Sequence, residues 1–182
     1  MSASDSRKKW PDVERRAKNR RVAGNRRRQD RRSGLDRRNE AAWVPVPLAE
    51  SDGSDEDLIS AATAAREHAQ AHYSGFKVGA ALALADGSVA TGCNVENATY
   101  GLTLCAERVA LVKALSEGHT AFTRIAIVAD TAAPTPPCGP CRQLLWEYCG
   151  NIDIVLANLK GLTARYALAS LLPLPFDRRL LK

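Results

Sequence analysis

Three cysteines and one glutamate carry the most specific chemistry in this chain. Cys138 and Cys141 form a C-x-x-C, and Cys105 lies 33 positions upstream of Cys138, in the run Thr103-Leu104-Cys105-Ala106-Glu107-Arg108. A C-x-x-C sets two thiols on one turn, within reach of a single metal ion. Three thiolates leave the fourth tetrahedral position of a zinc ion open, which separates catalytic zinc from structural zinc with its four protein ligands. Zinc lowers the pKa of a water bound there to about 7. Glu107, two residues past Cys105, is badly placed as a ligand and well placed to shuttle the protons that hydroxide attack requires. Two plainer readings compete: a redox C-x-x-C and a four-ligand zinc knuckle. The first leaves Cys105 and Glu107 without a purpose. The second needs a fourth ligand, and neither Cys93 nor Cys149 forms a second close pair.

Elements of alternating period must hold these residues in place. A helix is expected from about Asp55 to the Tyr73-Ser74-Gly75 stop, with Leu58, Ile59, Ala62, Ala65 and Ala69 along one face. His68 and His72 fall four apart on that helix and read as surface or capping residues. Strands are expected over 76–84 and 89–95, joined by an Asp86-Gly87 turn. Alternation then puts Asn94 and Glu96 on one face of a strand end. An amide beside a carboxylate suits hydroxyl recognition, although a polar strand end leading into a turn is the plainer reading. A helix opens at Cys105 and stops at Gly118. A third strand covers 122–129, and a loop delivers Cys138 to a further helix ending near Gly150. Strands over 152–157 and 162–166, a short helix over 168–172 and a tail over 173–182 complete the chain. Both cysteine elements therefore sit at helix N-termini, where partial positive charge and free N–H groups favour thiolates. Arg108 and Arg142 stand next to the cysteines and can neutralise the remaining negative charge of a zinc with three thiolates.

The 182 residues allow one domain plus an extension, and 45% apolar content allows a sizeable core. No apolar run is long enough to cross a membrane, and five cysteines with a metal role for three point to reduced thiols and a cytoplasmic setting. The net charge of +6 is unevenly spread. Residues 1–40 carry 15 Lys/Arg against 6 Asp/Glu, a balance of +9, while the remainder carries 11 against 14, a balance of −3. Residues 1–50 read as a disordered, Arg-rich extension and linker, and residues 51–182 as the catalytic domain. The arginines of residues 1–40 could bind nucleic acid weakly and without sequence preference. The alternatives are a solvated tail, or an upstream segment that is not translated.

Several motifs, in order, resemble the small homotetrameric cytidine deaminases. They are Tyr73-Ser74-Gly75-Phe76-Lys77-Val78-Gly79-Ala80-Ala81-Leu82, Gly92-Cys93-Asn94-Val95-Glu96-Asn97-Ala98, Cys105-Ala106-Glu107-Arg108, Pro137-Cys138-Gly139-Pro140-Cys141-Arg142-Gln143 and Leu171-Leu172-Pro173. The resemblance covers residues 55–176 and leaves out the N-terminal arm. It implies an α/β fold, a three-layer α/β/α sandwich around a five-stranded mixed sheet. It also implies one zinc per subunit on Cys105, Cys138 and Cys141, with Glu107 as the proton shuttle. The substrate would be a small nucleoside, cytidine or deoxycytidine, contacted by Phe76, Asn94, Glu96, Ala106 and Tyr100. Phe76 would stack on the base, and Asn94 and Glu96 would hold the ribose. Tyr100 and Phe176 match positions that reach a neighbouring subunit's site, although Asp177-Arg178-Arg179 departs from the family's usual ending. Blasticidin-S deaminases share the zinc site but lack the Asn-x-Glu pair. Polynucleotide deaminases usually place His where Cys105 stands. A zinc-stabilised nucleic-acid-binding protein would leave Glu107 idle.

Overall fold

The computed structural model describes residues 53–181. The expectations for the N-terminal extension, its linker and its nucleic-acid-binding arginines lie outside the described residues. The elements are α1 (Gly53–Arg66), β1 (Val78–Leu84), β2 (Val89–Cys93), a 3-10 turn (Tyr100–Leu102), α2 (Ala106–Ser116), β3 (Phe122–Ala129), α3 (Gly139–Cys149), β4 (Asp153–Asn158), β5 (Thr163–Ala167), α4 (Leu168–Leu171) and a last 3-10 turn (Arg178–Leu181).

The five strands form one sheet in the order β2-β1-β3-β4-β5. β3 and β4 run parallel and every other pair is antiparallel, so the sheet is mixed. A parallel pair needs a crossover, and α3 supplies it. The centre of the sheet is buried on both faces, which explains the unbroken apolar runs of residues 125–129 and 154–157. On one face Ala81, Ala126, Val128, Val155 and Ala157 pack against Leu58 and Ala62 of α1. On the other, Ala80, Leu82, Ile125, Ile127, Ile154 and Leu156 pack against Ala110, Leu111 and Ala114 of α2 and Leu145 of α3. The result is the expected three-layer sandwich.

Two glycines set how closely the helices approach. A Cβ on Gly79 would lie 2.0 Å from Ala62 O of α1, and one on Gly92 would lie 2.5 Å from both Ala106 O and Ala110 N of α2. Both obstacles are backbone, so only glycine fits unless a helix moves. Gly92 therefore sets how closely the first turn of α2 lies against β2, and that turn carries residues of the candidate site.

Two boundaries differ from expectation. α1 ends at Arg66, so His68 and His72 lie beyond it and do not share a helical face; both are exposed. The segment is captured instead by the strand beside it. Gln70 N–H donates to Asn94 O, Glu96 N–H donates to Gln70 O, and Ala69 is buried without belonging to a helix. β2 likewise ends at Cys93, and Val95 continues only as isolated bridges to Gln70 and Leu104. The 3-10 turn over Tyr100–Leu102 was not expected. The tail past residue 173 is fastened onto α3: Gln143 Nε2 donates to Phe176 O at 2.5 Å, and Trp146 Nε1 reaches Asp177 Oδ2 at 3.5 Å. Asp177 is buried and pairs with Arg179 at 2.5 Å.

Candidate active site

The register of the sheet brings the site together. Val78 pairs with Ala129, Gly79 pairs with Cys93, and Ala129 pairs with Asn158. The start of β1 and the ends of β2, β3 and β4 therefore share one edge of the molecule. From that edge residues 73–77, 94–104 and 130–138 run out and surround a cavity of about 360 Å³.

Cys105 and Cys138 occupy the N-cap positions of α2 and α3, and neither side chain caps its helix. Their sulfurs are 3.8 Å apart, and Cys138 Sγ is 3.3 Å from Cys141 Sγ. All three sulfurs lie within 4.8 Å of one another. A tetrahedral zinc with Zn–S bonds of about 2.3 Å needs S···S separations of roughly 3.8 Å, so the donor set fits that ion. The C-x-x-C works because its cysteines are the N-cap and third helical residue of α3, with Pro140 inside the first turn. Arg108 donates from Nη2 to Cys105 Sγ at 3.3 Å and to Thr103 O at 3.2 Å. Its buried Nε–H has no partner among the described residues, a further sign that this end is built for negative charge. Cys105 is drawn down to about 5 by the hydrogen bond from the Cys141 thiol and by the neighbouring guanidinium. Arg142, expected to offset thiolate charge, spends hydrogen bonds on backbone carbonyls. Its Nε donates to Pro137 O at 2.8 Å and its Nη1 to Leu171 O at 2.7 Å, tying the approach to Cys138 to the C-terminal segment.

Glu107 is the second residue of α2 and is 5% exposed. Burial pushes its carboxyl up from the usual value, the main cause of its shift. A buried carboxyl beside converging sulfurs holds a proton more readily than an exposed one, which suits a group that must both take and give it.

The same cavity is also lined by Phe76, Asn94, Glu96 and Ala106. Phe76 is 40% exposed, so it is no ordinary core aromatic. The amide of Asn94 is spent largely on backbone: Oδ1 accepts from Val78 N–H at 2.8 Å and Nδ2 donates to Phe76 O at 2.9 Å. One N–H of that amide is left for another partner. Glu96 Oε2 accepts from Tyr73 N–H at 2.7 Å and Ser74 N–H at 3.1 Å, and Oε1 accepts from the Ser74 hydroxyl in a short contact. These bonds hold the Glu96 carboxyl below its usual range, the Ser74 hydroxyl foremost. A second chamber of about 370 Å³ adjoins this wall, sharing Ser74, Glu96 and Thr103 and bounded by Tyr100, which is 80% exposed. Phe176 lines neither space and stands exposed beside α3.

Sequence reasoning missed Ser74, Thr103, Leu104, Thr135 and Pro136 on the cavity wall. It also missed Asn158, whose Nδ2 donates to Thr131 O and Ala132 O while its Oδ1 accepts from Lys160 and Leu162 N–H. Asn158 thereby steadies the loop that leads to Cys138. A buried asparagine at a strand end before a Lys-Gly turn was the available signal.

A sandwich of this topology with three thiols and a buried carboxyl at helix starts defines a zinc-dependent hydrolase of the deaminase type. Residues 52–157 match the family described as the cytidine and deoxycytidylate deaminase zinc-binding region. A cytidine deaminase of Sporosarcina psychrophila is 48% identical over 124 residues, covering 68% of this chain and 91% of that one. One from Halalkalibacterium halodurans is 53% identical over 117 residues, covering 64% and 89%. The crystal structure of a cytidine deaminase from Burkholderia pseudomallei superposes with a TM-score of 0.65 at 50% identity, covering 66% of this chain and 98% of that one. A blasticidin-S deaminase of Bacillus cereus is 28% identical over 109 residues. The chain belongs to the cytidine and deoxycytidylate deaminase family.

Proposed function

We propose that the protein hydrolytically deaminates free cytidine and deoxycytidine, giving uridine and deoxyuridine with release of ammonia, and serves pyrimidine salvage in the cytoplasm. The observation that carries this reading is the buried Glu107 carboxyl facing the same cavity as Cys105 and Cys138.

Cys105, Cys138 and Cys141 would hold one zinc per subunit. Bound there, zinc supplies a water acidified to a pKa of about 7 at its open position. Glu107 takes a proton from the attacking water and delivers it to N3 of the pyrimidine, then carries the proton of the new C4 hydroxyl to the amino group, which leaves as ammonia while the C4 carbonyl forms. A carboxyl raised by burial suits a group that must alternate between both states. Arg108 offsets thiolate charge at Cys105, which would leave a bound zinc a stronger Lewis acid. Arg142 acts one step removed, by holding the residue before Cys138. Phe76 stacks on the base with Ala106 beside it. The free N–H of Asn94 and the remaining acceptor of Glu96 take the sugar's 3′ hydroxyl. Among the described residues no Lys or Arg lines the cavity, which favours a neutral nucleoside.

A second copy completes the site in a homotetramer. The exposed Tyr73, Tyr100, Leu102 and Leu104 near the mouth support a covering partner, and Tyr100 and Phe176 are the residues that reach across. Residues 1–40 add a weak, salt-sensitive and sequence-indifferent grip on nucleic acid without touching turnover.

The deciding experiment follows absorbance loss on cytidine with protein of measured zinc content, full-length and lacking residues 1–45. Blasticidin S, cytidine 5′-phosphate and single-stranded RNA and DNA serve as alternative substrates. Turnover of cytidine by both forms, tied to one zinc per subunit, is expected. Zinc-loaded protein that ignores cytidine while acting on any alternative overturns the reading. Sedimentation of an active monomer overturns the tetramer.

A further inference from the structure

Two of the groups assigned to recognition, Glu96 and Phe76, are joined by a third side chain with no role so far. The Ser74 hydroxyl donates to Glu96 Oε1 and accepts the N–H of Phe76 at 2.9 Å. The left-handed turn at Gly75, with φ of 69°, folds the backbone so that this hydroxyl and that N–H meet.

We propose that Ser74 is a positioning residue that couples sugar recognition to base stacking by fixing both the free acceptor of Glu96 and the backbone of Phe76. The proposal rests on the nucleoside reading above. The remaining bonds make the argument. Oε2 of Glu96 is filled by the N–H groups of Tyr73 and Ser74, so those two anchor the carboxylate without orienting its useful oxygen. Oε1 keeps one acceptor after Ser74 has taken the other, and the hydroxyl decides where that acceptor points. Phe76 is held at both ends of its peptide units, by Ser74 at its N–H and by Asn94 Nδ2 at its carbonyl. Ser74 lines the main cavity and the adjoining chamber alike, so its hydroxyl sits where a sugar would meet the wall. The backbone bonds to Oε2 survive its loss, which makes it dispensable for folding.

The test compares Ser74→Ala, Ser74→Thr and the wild type on cytidine and on 2′,3′-dideoxycytidine, with zinc content and Tm alongside. The alanine variant should keep zinc and Tm, raise KM for cytidine about tenfold, the scale of one hydrogen bond to a charged group, and change kcat less than about threefold. Its KM for the dideoxy analogue should change little, so that the preference for the 3′ hydroxyl narrows. Ser74→Thr should restore wild-type preference. In a Glu96→Gln background, adding Ser74→Ala should raise KM less than about threefold further, because the two act as one unit. An alanine variant with wild-type KM and preference, one that loses kcat with KM unchanged, one that unfolds or sheds zinc, or full additivity with Glu96→Gln each overturns the proposal. Failure of the wild type on cytidine overturns the nucleoside reading itself.

Discussion

At one end the cavity is walled by side chains that leave two helix N-termini, and their reactive atoms meet one another. At the other it is walled by side chains whose polar atoms are mostly spent on neighbouring backbone. Cys105, Cys138 and Cys141 make no capping bonds and converge, whereas Asn94 fastens Phe76 and Val78, and Glu96 fastens the turn at Tyr73 and Ser74. Chemistry and scaffold are thus separable at the first end and shared at the second. Substitutions at the first should remove activity with the polypeptide core intact, and substitutions at the second should move fold and affinity together.

Cys138→Ala should show the largest effect. With two thiols left, bound zinc should fall below about a tenth of wild type by metal analysis and turnover should be undetectable, since a metal site this small loses its ion with one ligand. Glu107→Gln should come next, keeping zinc and Tm while turnover on cytidine falls about 10²–10⁴-fold. Retained turnover there would move the proton chemistry to another group, and lost zinc would make Glu107 a support. Asn94→Ala should be smaller in rate but broader. Leaving Val78 N–H and Phe76 O unpaired should cost about 1–3 kcal/mol in urea unfolding together with a raised KM. A rise in KM at unchanged stability would break the contrast between the two ends.

The smallest effect should come from Asp177→Asn, away from the cavity. The Arg179 guanidinium holds Asp177 at about 2, below its ordinary 3.8. A depressed carboxyl contributes stability above its unfolded value and loses it as pH falls toward the folded one. The wild type should therefore outlast the variant in unfolding at pH 6, and the gap should narrow between pH 4 and 2. A gap independent of pH would assign the effect to packing of the C-terminal segment.

The same contrast explains what could be read from sequence. The cysteines and Glu107 announced themselves because metal chemistry demands particular residue types at particular spacings, and N-cap geometry turns C-x-x-C and C-x-E into a shared locus. Strands alternating with helices pointed to α/β layers, with β3 and β4 among the apolar runs, and the three-layer sandwich came from the family resemblance. Ser74 gave no signal, because its importance lies in bonds to Glu96 and Phe76 that only the folded turn creates. The end of α1 was misjudged because its apolar spacing continues to Ala69 while bonds to the strand at Asn94 and Glu96 claim residue 70. Arg142 was misdirected for a similar reason: its neighbours in sequence are cysteines, but its neighbours in space are carbonyls. Long-range hydrogen bonds leave no periodicity to read.

The uncapped starts of α2 and α3 also bear on how the chain folds. Starting a helix is its costly step, and each of these helices has only 11 residues to repay it. An ion gripped by Cys105, Cys138 and Cys141 pins both starting points at once and closes the intervening loop in the same event. Metal binding would then favour both helix starts together and speed their formation, while the packing of α2 and α3 against the sheet would hold the core without it.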